Sequence, residues 1–162
     1  MNIAIVGATG NVGRKILEVL EKKELAIDNL YLLASSRSAG SKINFNGNEH
    51  EVIDLETFDF SKVKITFFAA GGKISENFAE IAAKHSLVID NSSFYRMDPD
   101  VPLIVPQVNS EHLHNIKKNI IANPNCSTAQ LVIAVSYTHL RAHETPEQLG
   151  WPGGGVKKKG GG

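Results

Sequence analysis

Cys126 is the single cysteine of the chain and lies in residues 120–128, IIANPNCST. Past Pro124 the apolar residues Ala129, Leu131, Val132 and Ile133 continue as a helix, so the thiol stands where a strand ends and a helix begins. Unpaired N–H groups and the dipole at a helix N-terminus favour the thiolate, which is the nucleophile. The commoner fate of a lone cysteine is to act as a small buried hydrophobe. The polar neighbours Asn125, Ser127 and Thr128 argue against an apolar pocket. Residues 91–96, NSSFYR, also follow a strand and bring hydroxyls, an amide and one cation toward the same edge. Arg96 has two readings at this point. Its planar fork matches a phosphate or oxyanion, and it equally suits an ion pair with Asp98 or Asp100. His50, His85, His112 and His114 offer no acid/base partner, and no spacing resembles a metal site, so no metal is expected.

A second group of residues opens the chain. Residues 7–13, GATGNVG, place Gly7, Thr9, Gly10, Asn11 and Val12 between a β-branched run and an amphipathic helix. There a dinucleotide pyrophosphate can approach the backbone and rest on the helix N-terminus. A tight structural turn is the other reading of the glycines. An NAD-binding domain would end its second strand with an acid that holds the ribose 2′-hydroxyl. Residues 32–41 read LLASSRSAGS, with no acid, and offer Arg37 with Ser35, Ser36 and Ser38 where a 2′-phosphate would lie. The expectation is therefore NADP over NAD, with a solvated Arg37 as the alternative. Gly71 and Gly72 follow another strand and are expected to line the cofactor.

The elements that must carry these residues alternate. Strands are expected at 2–6, 30–34, 49–53, 63–69, 87–89 and 119–122, with almost unbroken apolar runs that suit a sheet covered on both faces. Helices are expected after Gly10, after a Ser75 cap with Phe78, Ile81 and Ala82 on one face, after Asn109 or Ser110, and from Cys126. This order predicts a doubly wound α/β domain with a mostly parallel sheet.

The chain has 162 residues, 42% hydrophobic, with 17 Lys+Arg against 17 Asp+Glu. Neutrality leaves no footprint for nucleic acid or an anionic membrane, and no apolar run is long enough to span a bilayer. One cysteine and no leader-like start point to the cytoplasm. Seven of the 14 glycines fall in the last 28 residues. A domain is therefore expected over 1–134, with a disordered tail over 135–162. Within the tail, SYTHLRAHETPE looks like a cloning-derived stretch; a natural flexible tail is the alternative.

Taken in order, GATGNVG, SSRSAG, AAGG, NSSFYRMD, VPLIVPQVN and NPNCST resemble the aspartate-semialdehyde dehydrogenases over about residues 1–134. The resemblance implies a Rossmann-like domain and reduction of β-aspartyl phosphate to aspartate semialdehyde with NADPH, in the synthesis of lysine, threonine and methionine. It makes Cys126 the acyl-thioester nucleophile and Arg96 the binder of substrate phosphate. Asn125 then belongs to the oxyanion environment, and Thr9 to Val12 with Arg37 and Ser38 are NADP contacts. It further implies small-molecule partners, a homo-oligomer, and a second α+β domain supplying an acid/base histidine and a carboxylate-binding arginine. From about Ser136 the sequence departs from that pattern, so a truncated, inactive chain is expected. A non-catalytic NADP-binding module and a reductase of the N-acetyl-glutamyl-phosphate type are the alternatives.

Overall fold

The structure is a computed structural model that describes residues 1–143 other than 24 and 115, with side chains described as far as Val135. Strand β1, Asn2–Val6, sits at the centre, and its alternation sends Ile3 and Ile5 to one face and Ala4 and Val6 to the other. Both sets are buried. Helix α1, Asn11–Lys22, lays Leu17 and Leu20 over the Ile3/Ile5 face. Strands β2, Asn29–Ala34, β3, Lys42–Phe45, and β4, Asn48–Asp54, extend the sheet on one side. Two short 3₁₀ turns, Leu55–Thr57 and Phe60–Lys62, lead across to β5, Ile65–Phe68. Helix α2, Gly72–Ala83, then packs Ala79, Ala82 and Ala83 on the Ala4/Val6 face. Strand β6, Leu87–Asp90, the short helix α3, Pro106–Asn109, strand β7, Ile120–Ala122, and helix α4, Cys126–His143, follow.

The strand order is β3-β4-β2-β1-β5-β6-β7, and every pair is parallel except the β3–β4 hairpin. Helices cover both faces, as in a doubly wound, Rossmann-like domain. The chain moves outward from β1 on one side, then crosses to β5 on the other. The carboxyl ends of β1 and β5 therefore part the loops and open a crevice between them. Fully buried Phe68, Leu32, Leu33 and Ile120 hold the layers together, each contributing about 1.5–3 kcal/mol.

Four local expectations change. Residues 42–45 form a strand, because Asn46 and Gly47 take φ of 50° and 78° and close a tight hairpin. Ser75 does not cap α2. The helix starts at the glycine pair with Gly71 as its N-cap, and Ser75 is buried a turn later. The short helix expected from Asn109 or Ser110 is the 3₁₀ stretch Ser110–His114, but α3 precedes it, because Pro106 fixes a first turn that Asn109 ends, its Oδ1 reaching back to the N–H of Val105 at 2.8 Å. Helix α4 runs past residue 134 to His143 where disorder was expected, its preceding turn closed by Asn125. Residues 144–162 of the expected tail lie outside the described residues.

Gly13 lets α1 settle on the loop after β1. A Cβ there would come within 2.3 Å of the Gly7 carbonyl oxygen and 2.8 Å of the Ala8 Cα. Gly13→Ala should therefore cost about 3 kcal/mol, seen as a lower melting temperature by circular dichroism. An unchanged melt would show that α1 can shift freely.

Lys118 Nζ donates to Asp98 Oδ2 at 2.9 Å, and the Asp100 N–H donates to Asp98 Oδ1. The Lys118 bond first, and the Asp100 bond next, hold the Asp98 carboxyl below the ordinary carboxylate range. A depressed native value means stability present above the unfolded value of about 3.9 and lost as pH falls through the native one. Lys118→Met should thus lower the melting temperature at neutral pH slightly and flatten the acid limb of its titration below about pH 4, so that the two proteins converge in acid. An identical acid limb in both proteins would refute this.

Candidate functional site

Two clefts share the carboxyl edge of the sheet, and the N-terminus of α1 borders both. The first, about 420 Å³, is walled by Val6, Gly7, Thr9 and Gly10 after β1 and by Ala34 and Ser35 after β2. Leu55 and Glu56 after β4, Ala69 and Ala70 after β5, and Ile74 and Phe78 of α2 complete it. Gly7 has φ of 83°, and a Cβ on it would lie 2.9 Å from the Ala69 carbonyl carbon and oxygen and from the Ala70 Cβ. Only glycine lets the loop after β1 approach the end of β5 this closely.

The N-caps of α1 and α2 are Gly10 and Gly71, and neither helix start has a side-chain cap. Their first N–H groups are left for an anion, and the dipoles point the same way. An apolar slot at the uncapped start of α1 suits a dinucleotide; Gly71 and Gly72, expected to line it, are not among its described wall residues, where α2 instead contributes Ile74 and Phe78. Gly72, the first residue of α2, faces residues 93–94, and a Cβ built on it would lie 3.8 Å from the Phe94 Cβ.

Arg37 and Ser38 lie in the turn after β2, where the Ser38 N–H donates to the Ser35 carbonyl at 2.8 Å. Ser35 borders the cleft, while Arg37 is exposed beside it with no hydrogen-bond or ion-pair partner among the described residues. The walls from Leu55, Ile74 and Phe78 were not foreseen. They arrive through strand order, which leaves no local trace in the sequence.

The second cleft, about 530 Å³, brings together Asn11, Val12 and Lys15 of α1 with Asn91, Arg96, Asn123, Pro124, Asn125, Cys126 and Ala129. Arg96 donates from Nε to the Asn123 carbonyl at 3.0 Å and from Nη2 to the Asn91 carbonyl at 3.1 Å, so it ties the ends of β6 and β7 together. It pairs with neither nearby acid. Asp98 is held by Lys118, and Asp100 by Lys117 at 2.9 Å. The remaining guanidinium donors belong to a cleft with no carboxylate among its described lining residues.

Cys126 is exposed and opens α4. Asn125 is the N-cap. Its Oδ1 accepts the N–H of Ser127 at 3.1 Å and the thiol of Cys126 at 3.3 Å, which leaves Nδ2 as a donor beside the sulfur. Lys15 was missed, although it follows Asn11 by four residues and so shares its helix face. Burial first, then nearby acids led by Glu80 and Asp90, push the Tyr95 phenol up to about 12. It is no proton donor or acceptor near neutrality.

Comparisons with known proteins bear on the family and the fold. Residues 2–116 match the family model described as semialdehyde dehydrogenase, NAD binding domain. An aspartate-semialdehyde dehydrogenase of a Shewanella species is 48% identical over 136 residues, covering 83% of this chain and 40% of that protein. The crystal structure of aspartate semialdehyde dehydrogenase II of Vibrio cholerae complexed with ASA is 49% identical with a TM-score of 0.83, covering 85% of this chain and 46% of the other. A Candida albicans aspartate semialdehyde dehydrogenase solved with NADP is 27% identical at a TM-score of 0.68, covering 83% and 46%. The chain thus spans about two fifths of the length of the relatives it matches. With its nucleotide crevice, its glycine loop and that match over residues 2–116, the chain belongs to the semialdehyde dehydrogenase family through the NAD-binding domain.

Proposed function

We propose that this chain is the cofactor and nucleophile part of an NADP-dependent aspartate-semialdehyde dehydrogenase, which reduces β-aspartyl phosphate through a thioester on Cys126. One observation carries the reading: Cys126, Asn125 and Arg96 meet the N-terminus of α1 in a single cleft whose described lining residues include no acid. Such a cleft suits an acyl phosphate, with the carbonyl at the sulfur and the phosphoryl group at the arginine.

The Cys126 sulfur attacks the acyl carbon, forming the C–S bond as the bond to the phosphate oxygen breaks and phosphate leaves. Arg96 takes up the charge of the departing phosphate on the donors not already given to Asn91 and Asn123. Asn125 Nδ2 is placed to donate to the oxygen of the reacting carbonyl, because Oδ1 is already engaged by Ser127 and the thiol. Gly7, Thr9, Gly10, Gly71 and Gly72 would hold the dinucleotide, with Arg37 and Ser38 at its 2′-phosphate. The nicotinamide, when bound, supplies hydride. Loss of a general acid or base costs about 10²–10⁴ in rate, so turnover needs a proton donor beyond the histidines described here.

Two outcomes test the reading. The 162-residue chain mixed with β-aspartyl phosphate should release inorganic phosphate in a burst of one equivalent. Cys126→Ala should release none, and Arg96→Met should slow the burst by about tenfold or more. Equal bursts from Cys126→Ala and the parent would exclude the thioester. NADPH should bind more tightly than NADH, by about tenfold or more for a charge-assisted bond to the 2′-phosphate. Arg37→Ala should erase that preference in a fluorescence titration. A preference that survives the substitution would remove Arg37 from the site.

A further inference from the structure

One buried titratable group has no part in that scheme. Asp90 ends β6 and is fully buried, yet its carboxyl group is saturated with donors. Oδ1 accepts Ser75 Oγ of α2 at 2.8 Å and the N–H of Ser92 at 3.0 Å; Oδ2 accepts Ser92 Oγ at 2.7 Å. Ser92 Oγ in turn accepts the N–H of Phe94 at 3.1 Å, and the Asp90 carbonyl accepts the N–H of Asn123 at 2.8 Å. Burying such a group is costly, and an apolar side chain would fill the space with less desolvation. A tether between α2 and β6 needs only the Ser75 bond. The two Ser92 bonds have a different consequence, because they fold residues 91–94 back on the strand end and so set the origin of the turn that ends at Arg96.

From there the Arg96 fork must reach the carbonyls of Asn91 and Asn123, while Asn123 Nδ2 donates to Asn91 Oδ1. All of these partners lie within three residues of Asp90 or of Cys126. We propose that Asp90, acting through Ser92 and Ser75, is the positioning group that holds the 91–96 turn so that Arg96 presents its remaining donors to a phosphate group beside Cys126. The assignment rests on the reading of Arg96 as the phosphate-binding cation. It extends the site inward to three buried residues that touch no ligand. It also joins the two clefts, since Ser75 belongs to α2, whose Ile74 and Phe78 wall the first of them.

The probe is inorganic phosphate, read by the rate at which iodoacetamide alkylates Cys126 in the 162-residue chain, below the melting temperature of every variant. Phosphate should protect the parent, and Arg96→Met should abolish protection. Ser92→Ala removes two hydrogen bonds and should raise the half-protecting phosphate concentration by about tenfold. Asp90→Asn puts an amide where donors already converge and should do the same, which keeps the test decisive if Ser92→Ala does not fold. A lowered melting temperature with an unchanged half-protecting concentration would make Asp90 purely structural and overturn the proposal, while Arg96 keeps its role. Protection of Arg96→Met equal to that of the parent, or no protection of the parent, would overturn the reading of Arg96 and the positioning role with it.

Discussion

The closeness of α1 to the loop after β1 governs the functional edge. With no Cβ at Gly13, the helix backbone rests on the Gly7 carbonyl, and with none at Gly7 the loop rests on Ala69 and Ala70. Those two contacts place the start of α1 between the ends of β1 and β5. Thr9 and Gly10 then fall in one cleft, and Asn11, Val12 and Lys15, less than two turns on, in the other. A helix displaced by the width of a methyl group would change both clefts together. The dinucleotide crevice and the thiol cleft are therefore two sides of one packing decision, made by residues that themselves carry no reactive group.

The rest of the edge follows from parallel pairing. Parallel strands deliver their carboxyl ends to the same side of the sheet, so every loop that starts there is brought into reach of every other. Val88 pairs with Ile120 and Asp90 with Ala122, a register that sets Asn91 beside Asn123 although they are distant in sequence. Arg96 completes the join by donating to the carbonyls of both. Sheet register supplies the approximate meeting, and a buried polar network supplies the final orientation, because hydrogen bonds are directional where apolar packing is not.

Much of this was legible in the sequence because its signals are local. The glycine spacing after residues 2–6, the apolar runs of the inner strands and the helix starting at Cys126 each rest on a handful of neighbouring residues. The β3–β4 hairpin was equally local, since Asn46-Gly47 follows the alternating Ile43 and Phe45, yet the polar residues around it hid the strand pattern. Ser75 misled for the opposite reason. A serine preceding an apolar helical face reads as a cap, but a glycine pair had already begun the helix, and the hydroxyl was needed by Asp90 fifteen residues on. The apolar wall of the nucleotide crevice, from Leu55 to Phe78, could not be read because strand order decides which loops meet. Arg96 had two readings for a similar reason: the lysines that occupy Asp98 and Asp100 come from just before β7.

The side chains around the thiol serve the fold before they serve any ligand. Asn125 closes the first turn of α4 with the same oxygen that holds the Cys126 thiol, and Arg96 spends two of its donors on backbone carbonyls. Such double use fixes the orientation of what remains, one amide donor and one part of a guanidinium, without further ordering when an anion arrives. Because Cys126 is exposed, those donors act near the dielectric of water, where a pair of charges 4 Å apart is worth about 1 kcal/mol rather than the several found in a site closed to solvent. The same geometry covered from solvent would bind phosphate far more strongly and would keep water from a thioester. Orientation is thus set within these residues, whereas the strength of the site depends on what excludes water from the cleft.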